Sequence, residues 1–427
     1  MFKQKMSKIG WVVLALSGLI LLVFLLNLNP QFHERLAWRV LVAQTYLRGM
    51  IDPVKPLPTP RVVQAAVEPT PTPTSPVGAT VTSTPEGTTS PTSPTSPTLT
   101  PTIAPTPTPL PPKVELPAPA YDQQDINNCG PATLSMYLRF YGWDGSQKDI
   151  AEMIKPMRED RNVNVEELDH FVRNRVGWLR TEYRVGGSTD LLRRFIAAGI
   201  PVMIEETFMM AESYWPNDDR WAGHYLLVTG YDDTLNLFTA QDSFVGPDVR
   251  VSYQDLDHNW QSFNRVFILV FRPEQEDTVR SILGEEWDRD VNRQRALERA
   301  KRETETDPRN AFAWFNLGTN LIYFDRSNEA ALAYDQARKI GLPQRMLRYQ
   351  FGPFLAYFHS LRTDDLLTLT EYALKITPNS EEAMLWRGWG LYRQGKKDEA
   401  VEMFWKALGA NPTYQDAKYA LEYVSSH

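Results

Sequence analysis

A proline-, threonine- and serine-rich stretch from Ile51 to about Ala118 constrains this chain more than any other feature. Most of the 32 prolines fall between Pro53 and Pro119. So few apolar side chains cannot offset the loss of chain entropy on folding, and we predict a disordered linker over residues 51–118. At about 3.1 Å per residue it can extend to roughly 200 Å. The 427 residues therefore fold as separate parts on either side of this linker.

The first 28 residues predict a membrane anchor. Three lysines in residues 1–8 precede an uncharged run over residues 9–28, and about 20 apolar residues are enough for a helix to cross a bilayer. No small-residue cleavage site follows this run, which favours an uncleaved signal anchor. The positive-inside rule places residues 1–8 in the cytoplasm. We therefore expect a single-pass protein of the cell membrane, with everything after Leu28 extracytoplasmic.

Residues 29–50 predict a juxtamembrane helix. Arginines alternate with apolar side chains between Glu34 and Met50. This pattern suits an amphipathic helix at the membrane surface, and it suits an ordinary juxtamembrane helix equally well.

Charge and cysteine content exclude several classes of site. The net charge of −7 gives no basic surface for nucleic acid. A single cysteine excludes an intramolecular disulfide and a cysteine-rich metal site. The six histidines form no close pair, so we expect neither a metal nor another cofactor.

Residues 119–273 predict an α+β domain. Leu134, Tyr137, Leu138 and Tyr141 recur at helical spacing, and Thr189–Gly199 forms a second amphipathic helix. Strand patterns follow at Val202–Ile204, His224–Gly230, Leu235–Gln241, Val249–Tyr253 and Arg265–Phe271, with a turn at Asp232 and Asp233. Helices come first and an antiparallel sheet comes later.

Residues 277–427 repeat with a period near 34, the length of the tetratricopeptide (TPR) repeat. The predicted repeats are 277–310, 311–344, 347–380 and 381–414, followed by a cap helix in 415–427. The second and fourth match best, with Gly318, Tyr334, Gly388 and Phe404 at small and large packing positions. The first and third are degenerate, and the third has lost the glycine of its first helix. We expect an all-α TPR solenoid with a groove for a protein partner.

Cys129 lies where helix chemistry favours a nucleophile. The helix opens at Cys129-Gly130-Pro131, and its N-terminal dipole and free N–H groups favour thiolate over thiol. Gln124, five residues earlier, can present an amide beside the Cys129 N–H, giving two donors for an oxyanion. Gln123 is the alternative donor, because a shift of one residue in the loop is easily accommodated.

A thiolate nucleophile needs a base, and His224 begins an otherwise apolar strand. The next strand returns to the level of His224 and ends at Asp242, which can accept a hydrogen bond from the ring and set its tautomer. His258 is the rival base, in a polar connection after the third strand. The acidic pairs Glu205–Glu206 and Asp218–Asp219 are expected to be solvated, with a specificity role as the alternative.

In this order, the motifs from about Tyr121 to Arg272 resemble those of papain-like cysteine peptidases of the bacteriocin-processing type. The resemblance implies Cys129 as nucleophile, His224 as base, Asp242 as the residue that orients it and Gln124 as oxyanion donor. Transporter-linked members of that family cut leader peptides after Gly-Gly, whereas this chain lacks the transporter's membrane and ATPase parts.

We therefore expect a membrane-anchored cysteine peptidase that acts on a peptide or protein outside the membrane and binds a protein partner through its TPR groove. Two alternatives stay open. One is a catalytically silent peptide-binding scaffold of the cell envelope. The other is an acyltransferase that uses the same Cys129 and His224 and passes the acyl group to an amine.

Overall fold

The structure is a computed structural model that describes residues 17–18, 30–61, 109–155, 157, 160 and 162–427. The predicted cytoplasmic N-terminus lies outside the described residues. The predicted transmembrane segment does too, apart from Ser17 and Gly18, and so does most of the predicted linker. None of the described helices is long and apolar enough to cross a membrane.

The elements up to residue 271 form an N-terminal helix and an α+β domain. They are α1 (Pro30–Ile51), β1 (Lys113–Glu115), α2 (Cys129–Phe140), α3 (Gln147–Ile154), α4 (Val165–Arg175), β2 (Arg180–Arg184), α5 (Thr189–Ala197), β3 (Val202–Met209), β4 (Trp221–Asp232), β5 (Leu237–Asp242), β6 (Gly246–Ser252), α6 (Tyr253–Gln261) and β7 (Phe267–Phe271). The described strands make one antiparallel sheet in the order β2–β7–β3–β4–β5–β6, and β1 pairs with β4. The predicted α+β class is confirmed, but the predicted order of helices first and strands later was wrong, because strand β1 precedes α2 and strand β2 precedes α5.

Strand β4 is the longest strand of the described sheet, and it has three partners. Its first part pairs with β3, where Glu206 lies opposite His224. Its second part pairs with β5, where Leu226 lies opposite Asp242, and its last residues pair with β1. A bulge between Val228 and Gly230 shifts the register with β5 and bends the strand there.

The structure contains two strands that the sequence did not predict. Within the described residues, strand β2 pairs with β7 alone, and its sequence Arg-Thr-Glu-Tyr-Arg has no apolar run that would indicate a strand. Strand β1 has one described partner and falls within the predicted linker. The linker prediction was therefore wrong at this end, because backbone pairing with β4 orders residues that have few apolar side chains.

The helices after residue 275 form the predicted hairpins. They are α7 (Glu276–Leu283), α8 (Arg289–Thr306), α9 (Ala311–Tyr323), α10 (Ser327–Ile340), α11 (Met346–Tyr349), α12 (Gly352–His359), α13 (Thr363–Ile376), α14 (Glu381–Arg393), α15 (Lys397–Ala410) and α16 (Gln415–Ser426). In the second repeat a Cβ on Gly318 would lie 2.8 Å from the Tyr334 ring. In the fourth, a Cβ on Gly388 would lie 2.4 Å from Phe404. Each glycine thus admits an aromatic ring from the partner helix.

The third repeat departs from this pattern, because its first helix is split into α11 and α12. Pro353 lies in the first turn of α12 and cannot donate a backbone hydrogen bond to a preceding turn. Gln350, between the two helices, is extended. A Cβ on Gly352 would lie 2.1 Å from the Tyr334 hydroxyl, so this bend packs closely on the second repeat. The split leaves α11 directed toward the α+β domain.

An ion pair joins α11 to the α+β domain. Arg345 is 1% exposed, and its Nη1 and Nη2 lie 2.6 and 2.7 Å from the two carboxylate oxygens of Asp218. Its guanidinium also stacks over the Trp215 ring at 4.0 Å. The prediction that Asp218 is solvated was wrong, because its side chain is fully buried by this arginine. Asp219 is exposed as expected.

Residues Asp52–Pro60, at the other end of the predicted linker, lie against the helical repeats. The Pro58 carbonyl accepts two hydrogen bonds from Arg338, at 2.9 and 2.7 Å, and the Lys55 carbonyl accepts one from Tyr372 at 3.1 Å. Leu57 is 6% exposed. Prolines keep their carbonyl acceptors, so a proline-rich segment can be bound in this way without forming a helix or strand. We call residues 52–60 the docked segment.

We expect Arg345→Ala to lower the free energy of unfolding by about 3–5 kcal/mol, because it leaves the buried Asp218 carboxylate without a counter-charge. Chemical denaturation measures this loss. The matched control is Arg326→Ala, whose partner Glu329 is 56% exposed, and it is expected to change stability by less than about 1 kcal/mol. Equal losses in the two variants would show that the buried pair has no special role.

We expect Leu57→Asp to release the docked segment, because a carboxylate placed in this apolar contact would be desolvated. Limited proteolysis or hydrogen exchange at residues 52–60 should then be faster than in the parent protein. Ile51→Asp is the control, since Ile51 is 87% exposed and its replacement should leave protection unchanged. Unchanged protection in Leu57→Asp would contradict the docking.

Candidate active site

The buried helix α2 holds Cys129. The helix begins at Cys129, and every residue from Gly130 to Leu138 is buried. Thr133 donates a hydrogen bond to the Tyr225 carbonyl on β4 at 3.2 Å. Tyr137 bonds to the Pro201 carbonyl and accepts from the Val270 N–H. These contacts fix the helix on the sheet while Cys129 itself stays partly exposed.

Gln147 holds the loop before Cys129, a role that the sequence did not predict. Its Oε1 accepts from the Asp125 N–H at 2.8 Å and from the Asn128 side chain at 2.7 Å. Its Nε2 donates to the Asp122 carboxylate and to the Gln123 carbonyl, both at 2.7 Å. One buried amide thus fixes both ends of the loop. No sequence signal marks it, because Gln147 approaches the loop only in the folded chain.

His224 and Asp242 form the predicted pair. The distance from His224 Nε2 to Asp242 Oδ1 is 2.8 Å, and both residues are buried. The same Oδ1 accepts from the N–H groups of Phe244 and Val245, at 2.8 and 3.0 Å. Burial raises the pKa of Asp242, but the hydrogen bond and the charge of His224 outweigh burial and hold that pKa below its ordinary value. The carboxylate is therefore fixed and ionised.

The structure also brings Cys129 to His224. Burial lowers the pKa of His224, but hydrogen bonds to Asp242 and to the Cys129 thiol outweigh it and raise the pKa from 6.5 to about 10. Because Asp242 takes Nε2, Nδ1 is the ring atom left for the thiol proton. At neutral pH the His224 ring is therefore a protonated imidazolium beside the Cys129 sulfur.

Gln124 is hydrogen-bonded to Ser243, the residue that follows Asp242. Its N–H donates to the Ser243 carbonyl at 2.9 Å, and its Oε1 accepts from the Ser243 hydroxyl at 3.0 Å. This arrangement leaves the amide nitrogen, a donor, for another partner. Gln123, the alternative, is exposed. His258, the rival base, is exposed on α6, whereas His224 is the histidine placed against Cys129.

The prediction that Glu205 and Glu206 are solvated was wrong, because each is only 7% exposed. Strand β3 continues to Met209, beyond the predicted end at Ile204, and carries both residues into the sheet. Burial raises the pKa of Glu206 to about 8, although the charge of His224 opposes this. Burial and the neighbouring Cys129 raise the pKa of Glu205 well above its ordinary value. In the β3–β4 register Glu206 lies opposite His224 and Glu205 lies opposite Tyr225.

Aromatic side chains cover the histidine. The Phe208 ring centroid lies 5.1 Å from that of His224, and Phe244 lies 5.2 Å from Phe208. Low dielectric around the ring strengthens its hydrogen bond to Asp242. Among the described residues, no group of three or more His, Cys, Asp or Glu side chains is arranged to hold a metal ion.

Comparison with known families places this site in a recognised domain. Residues 115–268 match the family model described as "Peptidase_C39 like family". This part of the chain is a Peptidase_C39-like domain. The resemblance seen in the motifs around Cys129 and His224 is confirmed for the C39-like domain, and the helical hairpins that follow it fit TPR repeats.

Three solved structures are similar to parts of the chain. A C39-like peptidase from Bacillus anthracis is 17% identical, with 38% of this chain and 98% of that chain covered and a TM-score of 0.30. A double glycine motif protease from an AMS/PCAT transporter, solved with its leader peptide, is 16% identical over 37% and 94%, with a TM-score of 0.28. The TPR protein YrrB, described with an unusual peptide-binding site, is 20% identical over 35% and 72%, with a TM-score of 0.28. No curated protein matches the chain.

We expect Asp242→Asn to lower the pKa of His224, because the carboxylate is the main group that stabilises the imidazolium. A raised histidine pKa contributes stability that is complete below about pH 6.5 and is lost as the pH rises through about 10. In Asp242→Asn this loss should move to lower pH. NMR titration of the His224 ring protons, assigned with His224→Gln, measures the change. Superimposable titrations would rule out the ion pair.

Proposed function

We propose that this chain is a membrane-anchored, extracytoplasmic cysteine peptidase whose helical repeats bind a peptide or protein partner. One observation carries the proposal. The Cys129 thiol, at the start of a buried helix, lies against His224, and Asp242 holds that ring from its other nitrogen. A nucleophile, a base and an orienting group in this arrangement are what acyl transfer from a peptide bond requires.

The first half of the reaction forms an acyl-enzyme. The resting pair is the Cys129 thiolate and the His224 imidazolium, which carries the proton on Nδ1, and the thiolate attacks the peptide carbonyl carbon, forming a C–S bond. The N–H of Cys129 and the amide of Gln124 stabilise the oxyanion. The C–N bond then breaks as His224 returns its proton to the leaving nitrogen, and the amine departs.

The second half restores the enzyme. His224 Nδ1 takes a proton from water, and the resulting hydroxide attacks the thioester carbonyl. The C–S bond breaks, the carboxylic acid product leaves, and the thiolate is again paired with the imidazolium. Asp242 stays ionised throughout and stabilises the positive ring.

The anchor proposal rests on the sequence of residues 1–28, with the lysines inside the cell and the later domains outside. Because the docked segment is bound to the repeats, the tether between α1 and the folded domains is shorter than the linker predicted over residues 51–118. The chain that follows α1 lies on the repeats, through Arg338 and Tyr372. These contacts support a proposal in which α1, rather than the full length of residues 51–118, connects the folded domains to the proposed anchor.

Substitution of the nucleophile and base tests the peptidase proposal. We expect Cys129→Ala to abolish cleavage of a peptide library and His224→Ala to slow it by roughly 100-fold or more. His258→Ala is the control and should retain activity, because His258 is exposed on α6. Thermal unfolding checks that each variant is folded. Since the chain has one cysteine, iodoacetamide labelling reports on Cys129 alone.

The same experiment separates the two alternatives. Labelled Cys129 in a folded protein that releases no product from any peptide would indicate a silent binding module. Products that are cross-linked to an added amine, rather than shortened, would indicate acyl transfer. Cleavage that survives in Cys129→Ala would overturn the site assignment.

A further inference from the structure

The cavity beside Cys129 has a wall that the C39-like domain does not supply. The cavity has a volume of about 10 Å³, close to the smallest volume that can hold one water molecule. Most of its lining comes from the α2 start, the segment at 162–163 and strands β3 and β4. The remaining lining residue, Tyr349, belongs to α11 of the helical repeats.

Tyr349 lies directly over the strand that carries the base. A Cβ built on Gly223, the residue before His224, would lie 3.2 Å from Tyr349 Cδ1 and 2.6 Å from Phe263 Cζ. Any side chain at Gly223 would therefore collide with these rings. The glycine allows the repeat module to approach the backbone of β4 beside the site.

Contacts on both sides hold Tyr349 in place. Its ring packs edge-on against Trp221 and Phe263, with centroid distances of 5.7 and 6.1 Å. Gln350, the next residue, donates to the Ser262 carbonyl at 2.8 Å. On the other side, Arg345 is paired with Asp218. The wall is thus fixed to the domain at both ends of α11.

We infer that Tyr349 is a specificity-determining residue of the cysteine site, so that the repeat module itself limits which peptides reach Cys129. A substrate residue lying between β4 and α11 meets the Tyr349 ring, and a cavity of about 10 Å³ leaves no room there for a large side chain. The substrates are therefore peptides with a small side chain at that position. This inference rests on the proposed peptidase function.

The test has one arm that does not depend on turnover. Cys129 is alkylated with iodoacetamide and with the bulkier N-benzyl iodoacetamide, and the ratio of the two rates is compared among variants. We expect Tyr349→Ala to raise the relative rate of the bulky reagent by about 10-fold, the size of effect that one pocket group gives. Tyr349→Phe keeps the ring and should leave the ratio unchanged.

The second arm measures peptide selection. The ratio of kcat/KM for peptide pairs that differ only by Gly or Leu beside the scissile bond should fall by about 10-fold in Tyr349→Ala. Tyr323→Ala is the matched control, because this tyrosine lies in the same repeats, is 40% exposed and bonds to Asp290 instead. Tyr349→Leu, which keeps apolar packing against Trp221, replaces Tyr349→Ala if thermal unfolding shows that variant to be unfolded.

The two arms distinguish the possible failures. An unchanged alkylation ratio in a folded Tyr349→Ala or Tyr349→Leu variant overturns the inference. A changed ratio in a protein that cleaves no peptide supports the wall and overturns the peptidase proposal. A changed ratio without any change in peptide preference shows that the ring limits access to the thiol but does not select substrates, and this also overturns the inference.

Discussion

The pairing of strand β4 with its neighbours is the constraint on which the rest of the site depends. Its register with β5 brings Asp242 to His224, and its register with β3 places Glu206 opposite the same histidine. The next residue along, Tyr225, accepts the hydrogen bond from α2 that fixes Cys129. A shift of one residue in this register would turn His224 to the opposite face of the sheet and separate it from its acid.

The C39-like domain and the helical repeats pack against each other beside strand β4. Arg345 and Asp218 form a buried ion pair, which contributes more to specifying how the two parts meet than to net stability. That pair fixes α11, and α11 brings Tyr349 to the cavity beside Cys129. The irregular third repeat, where Pro353 interrupts the helix, is thus the part of the repeat array that reaches the site. The repeat sequence alone suggests a separate binding unit, but in the structure this module supplies one wall of the cavity beside Cys129.

Local patterns predicted the parts of the site that depend on local chemistry. Cys129 begins its helix and Asp242 ends its strand, as hydrophobic periodicity predicted. The prediction that His224 begins its strand was wrong, because pairing with β3 extends that strand back to Trp221. The repeat boundaries followed from their period. The sequence failed at Glu205 and Glu206, because charged residues ordinarily mark a solvated strand end and only the pairing of β3 with β4 buries them. Residues 113–115 and 52–60 have the composition of a linker. The sequence therefore did not indicate that their backbones bond to β4 and to the repeats.

The sequence by itself determined the α+β class of the first domain, the chemistry available at Cys129 and His224, and the α-helical hairpins, since each depends on neighbouring residues and their periodicity. Only the tertiary structure decided that Gln147 holds the loop before Cys129, that the docked segment lies on Arg338 and Tyr372, and that Tyr349 forms a wall of the cavity. These contacts join residues far apart in the chain, and their energy comes from burial and hydrogen-bond geometry. Neither leaves a pattern in the local sequence.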